Sequence, residues 1–144
     1  MTVTTTTTTT THDLTQRFIA AMNAKNFATT QQLLADHFTF STPEGAAGDT
    51  NAFAVFLDRW GTGFPDFAQT PDLIVADADS SATSFLFTGT NDGQLQTVDG
   101  NTVPATGKNV EVAAAIFCQW QDGLLANVAF FWDQIAVLTQ LGLL

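Results

Sequence analysis

The sequence predicts an α+β domain in which helices come first and antiparallel strands follow. Apolar residues recur at helical spacing up to Trp60. From Gly61 onward the period is that of strands, with runs at Asp72 to Ala78, Thr83 to Thr90, Asn109 to Gln121 and Leu124 to Trp132. Helical and strand segments are thus segregated along the chain, which favours α+β over alternating α/β. A chain of 144 residues with 45% apolar content, thirteen Phe and three Trp has interior enough for one core and not for two.

The elements follow in order. Met1 to Thr11 is a threonine run without the basic start and apolar stretch of a secretory signal, so residues 1–11 read as a disordered tail and 12–144 as one domain. Leu14, Phe18, Ala21 and Met22 share a helix face, and Asp13 with Gln16 forms a capping pattern, predicting a helix from about Asp13 to Ala24. Asn26 opens a second short helix, carrying Phe27, Leu33 and Leu34 inward and ending near Asp36, where the β-prone stretch His37 to Ser41 begins. Thr42 to Gly48 is a loop by its Gly and Pro content. Asp49 or Thr50 then caps a third helix with Phe53, Phe56, Leu57 and Trp60 on one face.

Asp122-Gly123 separates the last two strand runs by two residues that tolerate positive φ, the requirement of a type I′ hairpin turn. Register counted outward from it pairs Trp120 with Leu125, Cys118 with Asn127, Ile116 with Ala129, Ala114 with Phe131 and Val112 with Asp133. Asn127, Ala129, Phe131 and Asp133 then share one face, while Phe117 and Phe130 lie on the other. Both faces are largely apolar, whereas an antiparallel sheet in a lone domain leaves one side to water. One face is expected to meet the helices and the other a second copy, giving a homodimer through the sheet.

Four basic residues stand against fourteen acidic ones, a formal charge of −10 that repels phosphate backbones and anionic bilayers. Neither nucleic acid nor a membrane is expected as a partner. No apolar run approaches the roughly 20 residues of a membrane span, so a soluble, cytoplasmic protein is expected. The single Cys118 cannot form an intrachain disulfide, and the two His are not clustered with it at metal-ligand spacing, so no metal site is expected.

Several segments together carry a family likeness: Phe64-Pro65-Asp66, the strand end Phe87-Thr88-Gly89-Thr90, the stretch Val103-Pro104-Ala105-Thr106-Gly107-Lys108, and Asp133 seven residues before Gln140-Leu141-Gly142. In order and spacing this resembles the SnoaL-like polyketide cyclases and ester cyclases, within the fold family named after a nuclear transport factor and shared with ketosteroid isomerase. The resemblance covers roughly Leu14 to Leu144. It implies a cone-shaped barrel, with three N-terminal helices against a curved, mainly antiparallel sheet, and a small apolar ligand entering between them. It also implies cofactor-free chemistry in which an Asp at the end of the last strand acts as acid and base in an intramolecular aldol closure. Asp133 matches that position. A carboxyl among Phe130, Phe131 and Trp132 would have the raised pKa that such a role needs.

The chain departs from the family pattern at several points. Many relatives carry His where this chain has Ser41 and Asn91, and their last strand often reads Glu-x-Trp-x-x-x-Asp where it has Asn127-x-Ala129-x-x-x-Asp133. The pocket is therefore expected to be wider, lined by Ser41, Asn91, Asn127, Ala129, Phe131 and Trp60, with His37 at its mouth. The chain has no tyrosine, which argues against the phenolic oxyanion donor of ketosteroid isomerases and scytalone dehydratases. No strand holds an arginine of the kind limonene epoxide hydrolases use. Plainer roles stand beside these. Asp133 can serve as the N-cap of a short C-terminal helix, Cys118 as a small core hydrophobe, and Phe53, Phe56, Trp60, Phe64 and Phe67 as core. A non-catalytic binding or dimerisation module of the same fold is the alternative function.

Overall fold

The computed structural model describes residues 9–144. Helix α1 (Thr11–Asn23) buries Phe18, Ile19, Ala21 and Met22 on one face. Its start corrects the expected one, because Thr10 and not Asp13 is the cap. The Thr10 hydroxyl accepts from Asp13 N at 3.1 Å and the Asp13 carboxylate accepts from Thr10 N at 3.3 Å, a reciprocal capping box. Thr11 donates from its hydroxyl to the Ala78 carbonyl at 2.8 Å. Thr10 and Thr11 therefore belong to the folded part, and residues 1–8 of the expected tail lie outside the described residues.

Helix α2 (Phe27–Gln31) is capped by Asn26 and stops earlier than expected. The chain is already extended at strand β1 (Leu34–Ser41), where Leu34 and Ala35 are buried as strand residues. A two-residue strand β2 (Ala47–Gly48) and the Asp49 cap lead into α3 (Thr50–Gly63), which buries Phe53, Phe56 and Trp60. Strand β3 (Ala68–Ala76) begins four residues before the expected run and contains Pro71 beside a register shift. It tolerates proline because it is an edge strand, where a missing N–H breaks no central ladder. Strand β4 (Ser80–Thr90), the short ribbon β5 (Leu95–Gln96) and β6 (Thr102–Val103), the long β7 (Asn109–Gln121) and β8 (Leu124–Trp132), and helix α4 (Gln134–Gln140) complete the chain.

The main sheet runs β2-β1-β8-β7-β4-β3, and among the described residues only β1 and β8 pair in parallel. It is open, with β2 and β3 as its edges, and its inner face closes over α1 and α3. The core is a cluster of aromatic rings in which Phe53 lies 5.0–5.1 Å from Phe38 and Phe40, and Phe56 lies 5.3 Å from Phe130. No helix among the described residues is long and apolar enough to cross a membrane.

The hairpin turn is as expected, with positive φ at Asp122 (51°) and Gly123 (79°). Its register is not. Trp120 pairs with Leu125, but Gln119 pairs with Asn127, so Ala126 is the extra residue of a β-bulge. Beyond it every β8 side chain is on the opposite face from the one counted from the turn. Val128, Phe130 and Trp132 point inward with Cys118, Ile116 and Ala114, while Asn127, Ala129 and Phe131 point outward. The bulge preserves the core, because without it Asn127 would be buried and Phe130 exposed.

Candidate ligand cavity

Inside the cone, α3 supplies Phe56, Leu57 and Trp60, the β3 end of the sheet supplies Phe67 and Gln69, and β4 supplies Phe85 and Phe87. Val112 and Ala114 of β7, Phe130 and Trp132 of β8 and Val137 of α4 close it. These positions share a face because β4, β7 and β8 place them in register: Phe85 opposite Ala114 opposite Trp132, and Phe87 opposite Val112. Water centres can occupy about 50 Å³ of the cavity, several times the ~10–15 Å³ that one water requires. It is a slot between rings. Trp60 stands edge-on to Trp132 at 5.5 Å and to Phe87 at 5.8 Å, and Phe67 stacks on Phe87 at 5.9 Å.

The polar groups of the slot are largely committed elsewhere. Trp60 donates its indole N–H to the Glu44 carboxylate at 3.1 Å, and Trp132 donates its own to Gln134 Oε1 at 2.6 Å. Glu44 also pairs with Arg59 at 2.5 Å, both side chains 9% exposed, and Arg59 bonds the Gln96 carbonyl. This ion pair ties the Thr42–Ala46 loop to α3 and β5 beside the outer wall of the slot. No lining residue among the described residues is ionisable. A larger open hollow between β5, β6 and α4 shares Trp60 and Val137 with the slot, so these two side chains form the partition.

Of the residues expected to form the site, Trp60 lines the cavity. The others do not, for physical reasons. Asn127 faces outward and donates to the Thr39 hydroxyl at 2.9 Å, while Ala129 and Phe131 follow it onto the outer face through the bulge. Ser41 ends β1 on that same face, opposite Ala129. His37 is exposed, with its ring 2.9 Å from Gln121 Oε1 and not paired with Asp36. Asn91 is fully buried but saturated: Nδ2 donates to the Gly63 and Gly93 carbonyls, and Oδ1 accepts from Thr106 N and its hydroxyl. It has nothing left to offer a ligand.

Asp133 is exposed and caps α4, with Oδ1 accepting from Ala136 N at 3.0 Å. The burial expected of its carboxyl beside Phe130, Phe131 and Trp132 is absent. Cys118 is buried in the core, where loss of hydration pushes its thiol up to about 12 against a weaker opposing hydrogen bond with Ser81. It is a core residue and not a nucleophile. Sequence reading missed Gln69, Phe85, Phe87 and Trp132 as cavity walls. The alternation of Phe67 with Gln69 and of Phe85 with Phe87 was the available signal.

The fold and cavity define a class: an open curved sheet closed by helices over an apolar slot. The model of the SnoaL-like domain matches residues 15–128, and the chain belongs to that family. Solved structures agree in fold. A SnoaL-like polyketide cyclase of Agrobacterium tumefaciens superposes with TM-score 0.75 at 19% identity, over 94% of this chain and 100% of that one. TsrD of Streptomyces laurentii gives TM-score 0.76 at 23% identity, over 91% and 93%. A candidate SnoaL-like polyketide cyclase of Jannaschia sp. CCS1 gives 0.80 at 17% identity, over 96% and 97%. No curated protein matches the chain at a significant level.

Proposed function

We propose that this chain holds a small, flat, apolar molecule between the aromatic rings of the slot. The observation that carries this reading is the lining, in which apolar walls from α3, β4, β7, β8 and α4 converge with no ionisable side chain among the described residues. A ring held there gains burial and edge or face contacts with Trp60, Phe87 and Trp132. Ligand-observed NMR with 1-methylnaphthalene tests it: saturable binding in the wild type that is lost in Ala114→Leu, which fills the slot, supports the reading. Absence of binding of both 1-methylnaphthalene and 1-naphthol in the wild type overturns it.

Family membership and the polyketide cyclase neighbours support a second reading, cofactor-free acid/base chemistry on an apolar carbonyl compound. Its carboxyl is Asp133, which directly follows the wall residue Trp132 and whose Oδ2 has no protein partner among the described residues. In this reading Asp133 takes the proton α to the carbonyl and returns it to the new alkoxide. Asp133→Asn keeps the cap while removing the proton carrier. A turnover loss of about 10²–10⁴ in both Asp133→Asn and Asp133→Ala, with the Asn variant stable, is the expected result. An active Asn variant beside a destabilised Ala variant leaves Asp133 as a cap and the chain as a binding module.

The outer face of the sheet supports a homodimer. Register sets Val75, Ala82, Phe117, Ala129 and Ser41 in one row, and Leu73, Ser84, Ala115 and Phe131 in the next. Phe117 and Phe131 meet edge-on at 5.5 Å while each is about half exposed. Such an uncharged aromatic patch is suited to cover by a second copy.

A further inference from the structure

Gln69 is 8% exposed, lines the slot, and its Oε1 has no hydrogen-bond partner. Its side-chain amide makes no hydrogen bond to any described residue. Only its backbone is bonded, in a two-point clamp: Gln69 N donates to Asn23 Oδ1 at 2.8 Å and Asn23 Nδ2 donates to the Gln69 carbonyl at 2.8 Å. That clamp ties the start of β3 to the end of α1. Pairing of Gln69 with Phe87 on β4 then sets the amide among Phe67, Phe85 and Phe87.

A buried amide without a partner costs free energy that an apolar residue of the same shape would not. The chain nevertheless places it in a slot whose other polar atoms, the indole N–H groups of Trp60 and Trp132, are spent on Glu44 and Gln134. Among the described residues the amide is the one unspent polar group there. We propose that Gln69 is the specificity-determining residue of the slot and selects flat apolar molecules that carry one hydroxyl or N–H donor, accepted by Gln69 Oε1. This rests on the binding reading above and narrows its ligand class.

The test compares 1-naphthol with its near-isostere 1-methylnaphthalene in wild type and Gln69→Leu, with Kd from ligand-observed NMR and Tm of the free proteins. Replacing Gln69 by Leu is expected to lower the ratio Kd(methylnaphthalene)/Kd(naphthol) about five- to tenfold, the size of one net hydrogen bond. It is also expected to raise the Tm of the free protein, since the orphan amide is removed. Should Gln69→Leu not fold, Gln69→Met makes the same comparison. A ratio unchanged by the substitution while both probes bind overturns the role of Gln69 and leaves the binding reading standing. Failure of both probes on the wild type overturns the binding reading itself.

Discussion

Asn91 shows how far a residue's type can mislead about its task. A polar amide at a position where the family resemblance implies an imidazole invites a ligand role, yet all four of its hydrogen-bonding sites are taken by Gly63, Gly93 and Thr106. It holds together the turn after α3 and the Pro104 to Lys108 stretch. Asn91→Ala is expected to cost about 2–4 kcal/mol, because it leaves several buried groups unpaired; denaturant unfolding measures it, and a cost near zero would remove Asn91 from this role. Asp66 plays a similar part, its carboxylate accepting from Thr90 N at 2.7 Å and from the Thr90 hydroxyl at 2.8 Å. Those bonds, the backbone one first, hold its pKa below the usual 3.8, so their contribution is present above that pH and is lost as pH falls through the lowered value. Cys118 titrates in the opposite sense. With the thiol pushed from 9.0 up to about 12, its contribution is full below pH 9 and is lost as pH rises toward 12. A thiol reagent at neutral pH is expected to label Cys118 only after denaturation, and rapid labelling of the native protein contradicts its burial.

At the scale of elements, the segments that carry the family likeness hold one another in place. Gly89 leaves room for the Phe64 ring, which a Cβ there would meet at 3.1 Å. Gln140 imitates a strand partner for β7, Oε1 accepting from Glu111 N at 2.7 Å and Nε2 donating to the Glu111 carbonyl at 3.0 Å. Gly142, at φ 75°, ends α4 in the left-handed conformation that favours glycine. The start of α1 has a consequence for truncation. Removing residues 1–11 takes away the Thr10 cap and the Thr11 bond to Ala78, and is expected to lower stability by about 1–2 kcal/mol, read as a fall in Tm. An unchanged Tm would show that the capping box contributes nothing.

For the molecule as a whole, the inner face of the sheet is used by the helices and the slot, and the outer face presents Leu73, Val75, Phe117 and Phe131, each half exposed or more. If that face pairs with a second copy, Phe117→Asp or Phe131→Asp is expected to weaken association by at least tenfold in sedimentation, because an unpaired charge in an interface core costs several kcal/mol. Phe130 is no part of this test, since it is 4% exposed and points into the core. A wild type that sediments as a monomer at micromolar concentration overturns the dimer.

Local chemistry was enough to read much of this fold. Periodicity separates the helices from the strands, Asp49 and Asn26 are legible as caps, Asp122-Gly123 as a turn, and the spacing of Asp66, Thr90, Thr106 and Gln140 as a family. Each of these depends on neighbours within a few residues or on an ordered set of short segments. The faces of β8 depend on more. A single extra residue at Ala126 reverses every side chain after it, and what places the bulge there is the burial of Val128, Phe130 and Trp132 against α3 and β7, contacts far apart in the chain. The same dependence hid Gln69, whose amide is notable only because Phe67, Phe85 and Phe87 surround it and because Trp60 and Trp132 have spent their donors elsewhere.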